Sequence, residues 1–173
     1  MDRNLLISLS LLFFILTLHG CKNREAEEIR VPLSNEQLIN INRELAIKER
    51  ERIESYIHRK NLSMQMSDLG IWYSIIEEGK GARLTNGSSV SLEYTCSLLD
   101  GTLCYSSDKD GILNVVIGRS EIATGLDEAL KMMKLGTDAM IILPSNLAYG
   151  LVGDGDRIPS RAALFYKIKV FPR

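Results

Sequence analysis

Apolar and polar residues alternate from Val90 through Leu92, Tyr94, Cys96 and Leu98. A period of two marks a strand with one face in a core and the other in water. Asp100-Gly101 follows at once, a hairpin-type dipeptide, and residues 103–106 supply the returning strand. Residues 71–76, 115–117, 139–143 and 164–171 read as further strands, with Asn86-Gly87 as a tight turn. Ile122, Leu126, Leu130 and Met133 recur at helical spacing, which predicts a helix over 122–133 ending near Gly136. Mostly strands with one late helix is an α+β pattern.

The hairpin also bears on two cysteines. A two-residue turn at Asp100-Gly101 sets Ser97 opposite Cys104, so that Cys96 and Cys104 point to opposite faces. A disulfide between them then needs a bulge that shifts the register, and both are read as buried thiols.

The chain begins differently. Arg3 precedes an apolar run over residues 5–18, which leads into Leu18-His19-Gly20-Cys21. Such a run is shorter than the roughly 20 residues a bilayer-spanning helix needs, and it fits the h-region of a secretory signal over 1–20. A cysteine directly after the small Gly20 resembles the lipobox of bacterial lipoproteins, in which Cys21 is lipidated and becomes the new N-terminus. Residues 21–33 then read as a charged tether. Ser34-x-x-Gln37 has the spacing of a capping box, and Leu38, Ile41, Leu45, Ile53 and Ile57 form a thin apolar stripe beyond it. Residues 34–61 are therefore a charged amphipathic helix, a spacer by the plain reading and a homodimer or partner helix over 34–60 by the sharper one.

Several chemistries drop out. The net charge of -1 gives no electrostatic footprint for nucleic acid. The two histidines, His19 and His58, both fall outside the strand-rich segment, which leaves it no histidine triad or histidine metal site. No phosphate-binding or dinucleotide fingerprint is present. Asp108-Lys109-Asp110-Gly111 and Asp154-Gly155-Asp156 lack calcium-loop spacing and read as solvated turns. An enzyme built on this segment works without nucleophile, metal or cofactor.

Ordered blocks in the last hundred residues carry a resemblance. Gly101 with Ser106-Ser107, then the stretch from Ile117-Gly118 to Gly125-Leu126, then Met133-Lys134-Leu135-Gly136 appear in sequence. Leu147-Ala148-Tyr149-Gly150 and Ile158-Pro159 complete the series. Together, over 69–173, they resemble the FKBP-type peptidyl-prolyl cis-trans isomerases. The resemblance implies a twisted antiparallel β-sheet half-wrapped around one short α-helix, with an apolar pocket for a proline ring and no cofactor. By position, Tyr149, Ala123, Ile122 and Tyr94 are the catalytic candidates. Leu113, Leu126, Ile158, Tyr166, Tyr105 and Cys104 are the substrate-binding ones. In the family, the N–H at the position of Ala123 and the hydroxyl at Tyr149 hold substrate carbonyls.

Two departures fall in that pocket. Cys104-Tyr105 stands where the family has Phe-Asp, and Leu126 where it has Trp. Lost apolar contact weakens proline binding by about 25 cal/mol per Å², and Tyr94 needs a new hydrogen-bond partner. With the lipobox, the chain is similar to gliding-motility-associated isomerase lipoproteins. That likeness implies proline-containing clients, anchorage through Cys21, a bacterial envelope location at the outer membrane facing the periplasm, and service to gliding motility or secretion. Two alternatives remain open: a catalytically weak module that binds proline segments, and a scaffold acting through helix 34–60.

Overall fold

The computed structural model describes residues 34–173. The expected signal, the tether and Cys21 lie outside the described residues. Residues Ile39–Arg173 form one compact unit.

Helix α1 (Asn35–Arg59) opens the described chain. Its capping box forms as expected: the Gln37 N–H donates to Ser34 Oγ at 3.2 Å, and the Ser34 N–H to Gln37 Oε1 at 2.9 Å. The strands follow as β1 (Gln65–Met66), β2 (Trp72–Glu77), β3 (Ser89–Leu98) and β4 (Leu103–Ser106). A one-turn helix α2 (Ser107–Asp110) leads to β5 (Leu113–Val116) and then α3 (Thr124–Lys131). Strand β6 (Asp138–Leu143), a 3-10 turn (Ser145–Leu147) and β7 (Leu164–Pro172) complete the chain. The sheet therefore begins at Gln65, ahead of the first strand expected at 71–76.

All seven strands join one antiparallel sheet in the order β1-β2-β6-β7-β3-β4, with β5 also paired to β3. Strand β3 is its spine. It pairs with β7 from Val90↔Pro172 to Leu98↔Leu164, while its other edge is shared by β5 and β4. Alternation then sorts side chains onto two faces. Ala139, Ile141 and Leu143 of β6 join Leu164, Tyr166, Ile168 and Val170 of β7 in the main core. Leu126, Ala129 and Leu130 of α3 pack into that same core. Ile142 and Phe165 fall on the opposite face and meet Ile53 and Tyr56 of α1 in a second cluster. The Tyr56 and Phe165 rings lie 5.7 Å apart, tilted by 57°. The late part of α1 is thus packed on the sheet.

Two local expectations also change. Helix α3 is shorter than 122–133. Ala123 is extended at φ -54°, ψ 130°, so Ile122 and Ala123 form the lead-in, and the Met133 N–H bonds the Leu130 carbonyl in a tightened final turn. At the hairpin, Leu98 and Thr102 close a three-residue loop over Leu99-Asp100-Gly101, with Gly101 at φ +98°. Ser97 pairs with Leu103 and Cys96 with Tyr105, and the register shift between them leaves Cys104 as the extra residue. Both cysteines consequently enter the main core, buried and unpaired.

Candidate functional site

The site candidates gather at one end of the inner face, where three neighbouring strands each supply a side chain. Cys96 on β3 pairs with Tyr166 on β7 and with Tyr105 on β4, and Tyr94 stands two residues earlier on β3. The floor is buried: Leu126 is 2% exposed, Ile158 3%, Cys104 3% and Tyr166 4%. Tyr94, Leu113 and Ile122 are half-buried at the edge, and Tyr149 is more open.

Helix α3 fits this end because of Gly125. A Cβ there would lie 2.8 Å from Leu143 Cδ2 and 2.9 Å from Leu147 Cβ, so only glycine lets the first turn sit against the 3-10 turn. That contact brings the α3 lead-in beside the loop carrying Tyr149. The Ala123 carbonyl accepts from the Leu126 and Asp127 N–H groups, whereas the Ala123 N–H has no acceptor among the described residues. An unspent backbone donor thus opens next to a buried apolar floor.

The Tyr149 loop is held from behind. The Ser145 carbonyl accepts from the Ala148 N–H at 3.1 Å and the Gly150 N–H at 2.8 Å, on either side of Tyr149. Ser145 is itself gripped by Glu49 of α1. Its N–H donates to Glu49 Oε1 at 2.9 Å and its hydroxyl to Oε2 at 3.0 Å. Glu49 is one of few buried polar side chains among the described residues, and this bond explains why.

A polar clasp closes the β4 side. Tyr105 donates its hydroxyl to Asp154 Oδ2 at 2.5 Å, and Asp154 Oδ1 accepts from the Ile158 N–H at 2.8 Å and the Asp156 N–H at 3.0 Å. Arg157 lies 4.7 Å over the Tyr105 ring and donates to the Cys104 carbonyl at 3.0 Å and to Asp110 Oδ1 at 2.8 Å. Asp110 also accepts from the Ser106 N–H at 2.8 Å. The two acidic segments are solvent-exposed except at the half-buried Asp154, and within them Asp110 and Asp154 tie α2, β4 and the 151–160 loop together.

The ionisable groups here all stay in their neutral-pH forms. Burial pushes the Tyr166, Tyr149 and Tyr94 phenols up, and the neighbouring Cys96 thiol adds to each shift. Burial likewise raises Cys96 to about 12. Tyr105 rises because its proton is shared with Asp154. Burial alone would raise Asp154, but the hydrogen bonds from Tyr105, Asp156 and Ile158 hold it below the usual carboxylate range. The phenols and thiols of the site therefore stay protonated, while Asp154 stays ionised and hydrogen-bonded to Tyr105.

The profile of FKBP-type peptidyl-prolyl cis-trans isomerases matches residues 80–171, more than half of the sequence. The chain belongs to this family. It is 36% identical over 101 residues to the probable FKBP-type peptidyl-prolyl cis-trans isomerase FkpA of Neisseria meningitidis, covering 58% of this chain and 37% of that protein. It is 35% identical over 99 residues to the outer membrane protein MIP of Legionella longbeachae, covering 57% and 42%. It thus spans about two fifths of the length of these relatives. The crystal structure of FkpA from Escherichia coli covers 99% of this chain and 81% of its own, with a TM-score of 0.64 at 21% identity, a likeness of fold. The FKBP fold expected from the sequence is the one observed.

Against that frame, the candidates Tyr94, Cys104, Tyr105, Leu113, Ile122, Ala123, Leu126, Ile158 and Tyr166 all belong to one core and its margin. Tyr149 joins them through its neighbours Tyr94, Tyr166 and Cys96. Four residues escaped the sequence reading: Glu49, Ser145, Asp154 and Arg157. Their partners are distant in the chain, 96 residues for Glu49 and Ser145 and 49 for Tyr105 and Asp154.

Proposed function

We propose that this FKBP-family chain is a peptidyl-prolyl cis-trans isomerase acting on proline-containing polypeptides. The observation that carries the reading is the pairing of an unspent Ala123 N–H with the Tyr149 hydroxyl above a floor of Leu126, Ile158 and Tyr166. An X-Pro bond rotates over a barrier of roughly 18–20 kcal/mol set by amide resonance. Transfer to an apolar surface removes water that favours the planar amide. Donors fixed on the flanking carbonyls then favour the twisted geometry over the planar one, which is catalysis by differential binding. Tyr105 takes the place of the family's carboxylate, and Asp154 restores a carboxylate to the clasp from another loop. In this reading Glu49 is a positioning residue: it fixes Ser145, and Ser145 fixes the turn that presents Tyr149.

Lipidation at Cys21 would anchor the protein in the bacterial cell envelope. The outer-membrane name of the Legionella longbeachae relative supports that location. Service to gliding motility or secretion belongs to the same proposal, as does a homodimer through helix 34–60, for which the exposed Ile39, Ile41 and Ile47 supply apolar surface.

The test is cis/trans exchange of a Leu-Pro or Phe-Pro peptide with residues 22–173 and with Tyr149→Phe and Tyr166→Ala. Acceleration by the parent that drops at least tenfold in both variants supports the isomerase. Binding of the peptide by a folded parent without acceleration supports a second reading, a proline-binding module, which Arg157 stacked on Tyr105 at the margin favours.

A further inference from the structure

A cleft of about 960 Å³ lies apart from the proline pocket, between α1, the tip of the β3–β4 hairpin and the segment leading into β7. Its apolar lining comes from Leu45, Leu98, Leu99, Ala162 and Ala163. Four cations also line it: Lys48, Arg52, Arg59 and Arg161. None of them pairs with a carboxylate among the described residues, whereas Arg50, Lys131, Lys134 and Arg157 each do. Three carboxylates line the same cleft, and two are already engaged. Glu49 is turned onto Ser145, and Asp100 accepts from the Thr102 N–H at 2.8 Å. The lining therefore carries a net charge of +1, with its four cations unpaired and two of its three carboxylates already hydrogen-bonded to neutral donors.

We propose that this cleft is an extended subsite for acidic residues that flank the proline of a client polypeptide; it rests on the isomerase reading above. The two sites are close in the chain. Ile158 belongs to the pocket floor, and the next three residues, Pro159, Ser160 and Arg161, line the cleft. Three residues reach about 10 Å at most, so Arg161 stands within that distance of the pocket floor. Arg161 is also fixed in place: it holds φ +56°, and its N–H donates to the Gly150 carbonyl at 2.8 Å, beside Tyr149. A concave surface with an apolar floor takes in side chains, which favours a polypeptide over a flat anionic membrane. Positive charge around the floor selects Glu and Asp among them.

The experiment compares three peptides in the exchange assay with residues 22–173: a Leu-Pro tetrapeptide, the same peptide with a Glu-Leu-Glu-Glu tail, and one with a Lys-Leu-Lys-Lys tail. Tails are placed on either side of the proline. The acidic tail on one side is expected to raise kcat/KM about tenfold at low salt, with the gain fading as salt screens the charges. Lys48→Glu with Arg52→Glu removes the gain and leaves the tailless peptide unchanged. Equal effects of acidic and basic tails, or a gain that survives the double variant, overturns the proposal. So does binding of phosphatidylglycerol vesicles through Lys48 and Arg52 without any tail effect. If no peptide is turned over, the isomerase reading has failed separately. Anisotropy of a labelled acidic-tailed peptide, parent against double variant, then decides the cleft.

Discussion

Strands β6 and β7 send alternate side chains to two interiors of very different size. Inward, Ile141, Leu143, Leu164, Tyr166 and Ile168 enter a core closed by α3 and reached by residues from most of the sheet. Outward, Ile142 and Phe165 meet Ile53 and Tyr56, with half-buried apolar side chains such as Trp72, Leu62 and Met64 around them. The inner interior is surrounded on all sides, and the outer one is a single helix laid on a sheet. Yet the outer helix reaches the candidate site through the Glu49 contact with Ser145. A small interface can matter to a site beyond its share of burial when one of its polar contacts sets a loop.

Substitutions on the two faces separate these contributions. Leu130→Ala, in the enclosed core, is expected to lower stability by about 4 kcal/mol, because the surroundings have little room to collapse. Ile53→Ala on the outer face is expected to lower it by about 2 kcal/mol, since α1 can settle onto the sheet. Both are read from chemical denaturation. Equal losses would mean that the two clusters behave as one core. Glu49→Ala leaves the Ser145 N–H without its partner, a loss of about 1–3 kcal/mol, and is expected to reduce turnover several-fold as well.

The smallest effect belongs to the clasp. Tyr105→Phe removes the hydrogen bond to Asp154, with a loss of about 1 kcal/mol. Its pH dependence has a definite sign. Asp154 is held below its unfolded value, so its contribution is fully present above that value and disappears as pH falls through the folded one. As pH falls from about 4, the ordinary range for Asp, and through the lower folded value, parent and Tyr105→Phe should therefore converge in stability. A gap that persists or widens in acid would show that the hydroxyl acts through something other than Asp154.

How much of this was legible depended on whether the signal was local. The alternation from Val90 to Leu98 announced β3 because burial follows side-chain period directly. Leu126 and Leu130 announced α3, although its ends were blurred by Ile122 and Met133, which share the spacing without being helical. Tyr149 was proposed through the block around it. The hairpin misled because Asp100-Gly101 also suits a loop one residue longer, and that residue moves Cys104 into the core. Glu49 was hidden among many charges on α1, where sequence gives no sign of which carboxylate turns inward. Asp154 sat in a segment composed like any solvated turn, and its partner Tyr105 looked like a lost carboxylate rather than half of a new contact.

The most direct test of the central claim, that α1 sets the loop carrying Tyr149 through Glu49, is a double-mutant cycle on prolyl exchange with Glu49→Ala and Tyr149→Phe. If Glu49 works through the Tyr149 turn, each change lowers kcat and the double variant falls no further than Tyr149→Phe alone, within about twofold. Multiplying effects in variants that remain folded would contradict the account and assign Glu49 to packing of the outer face only.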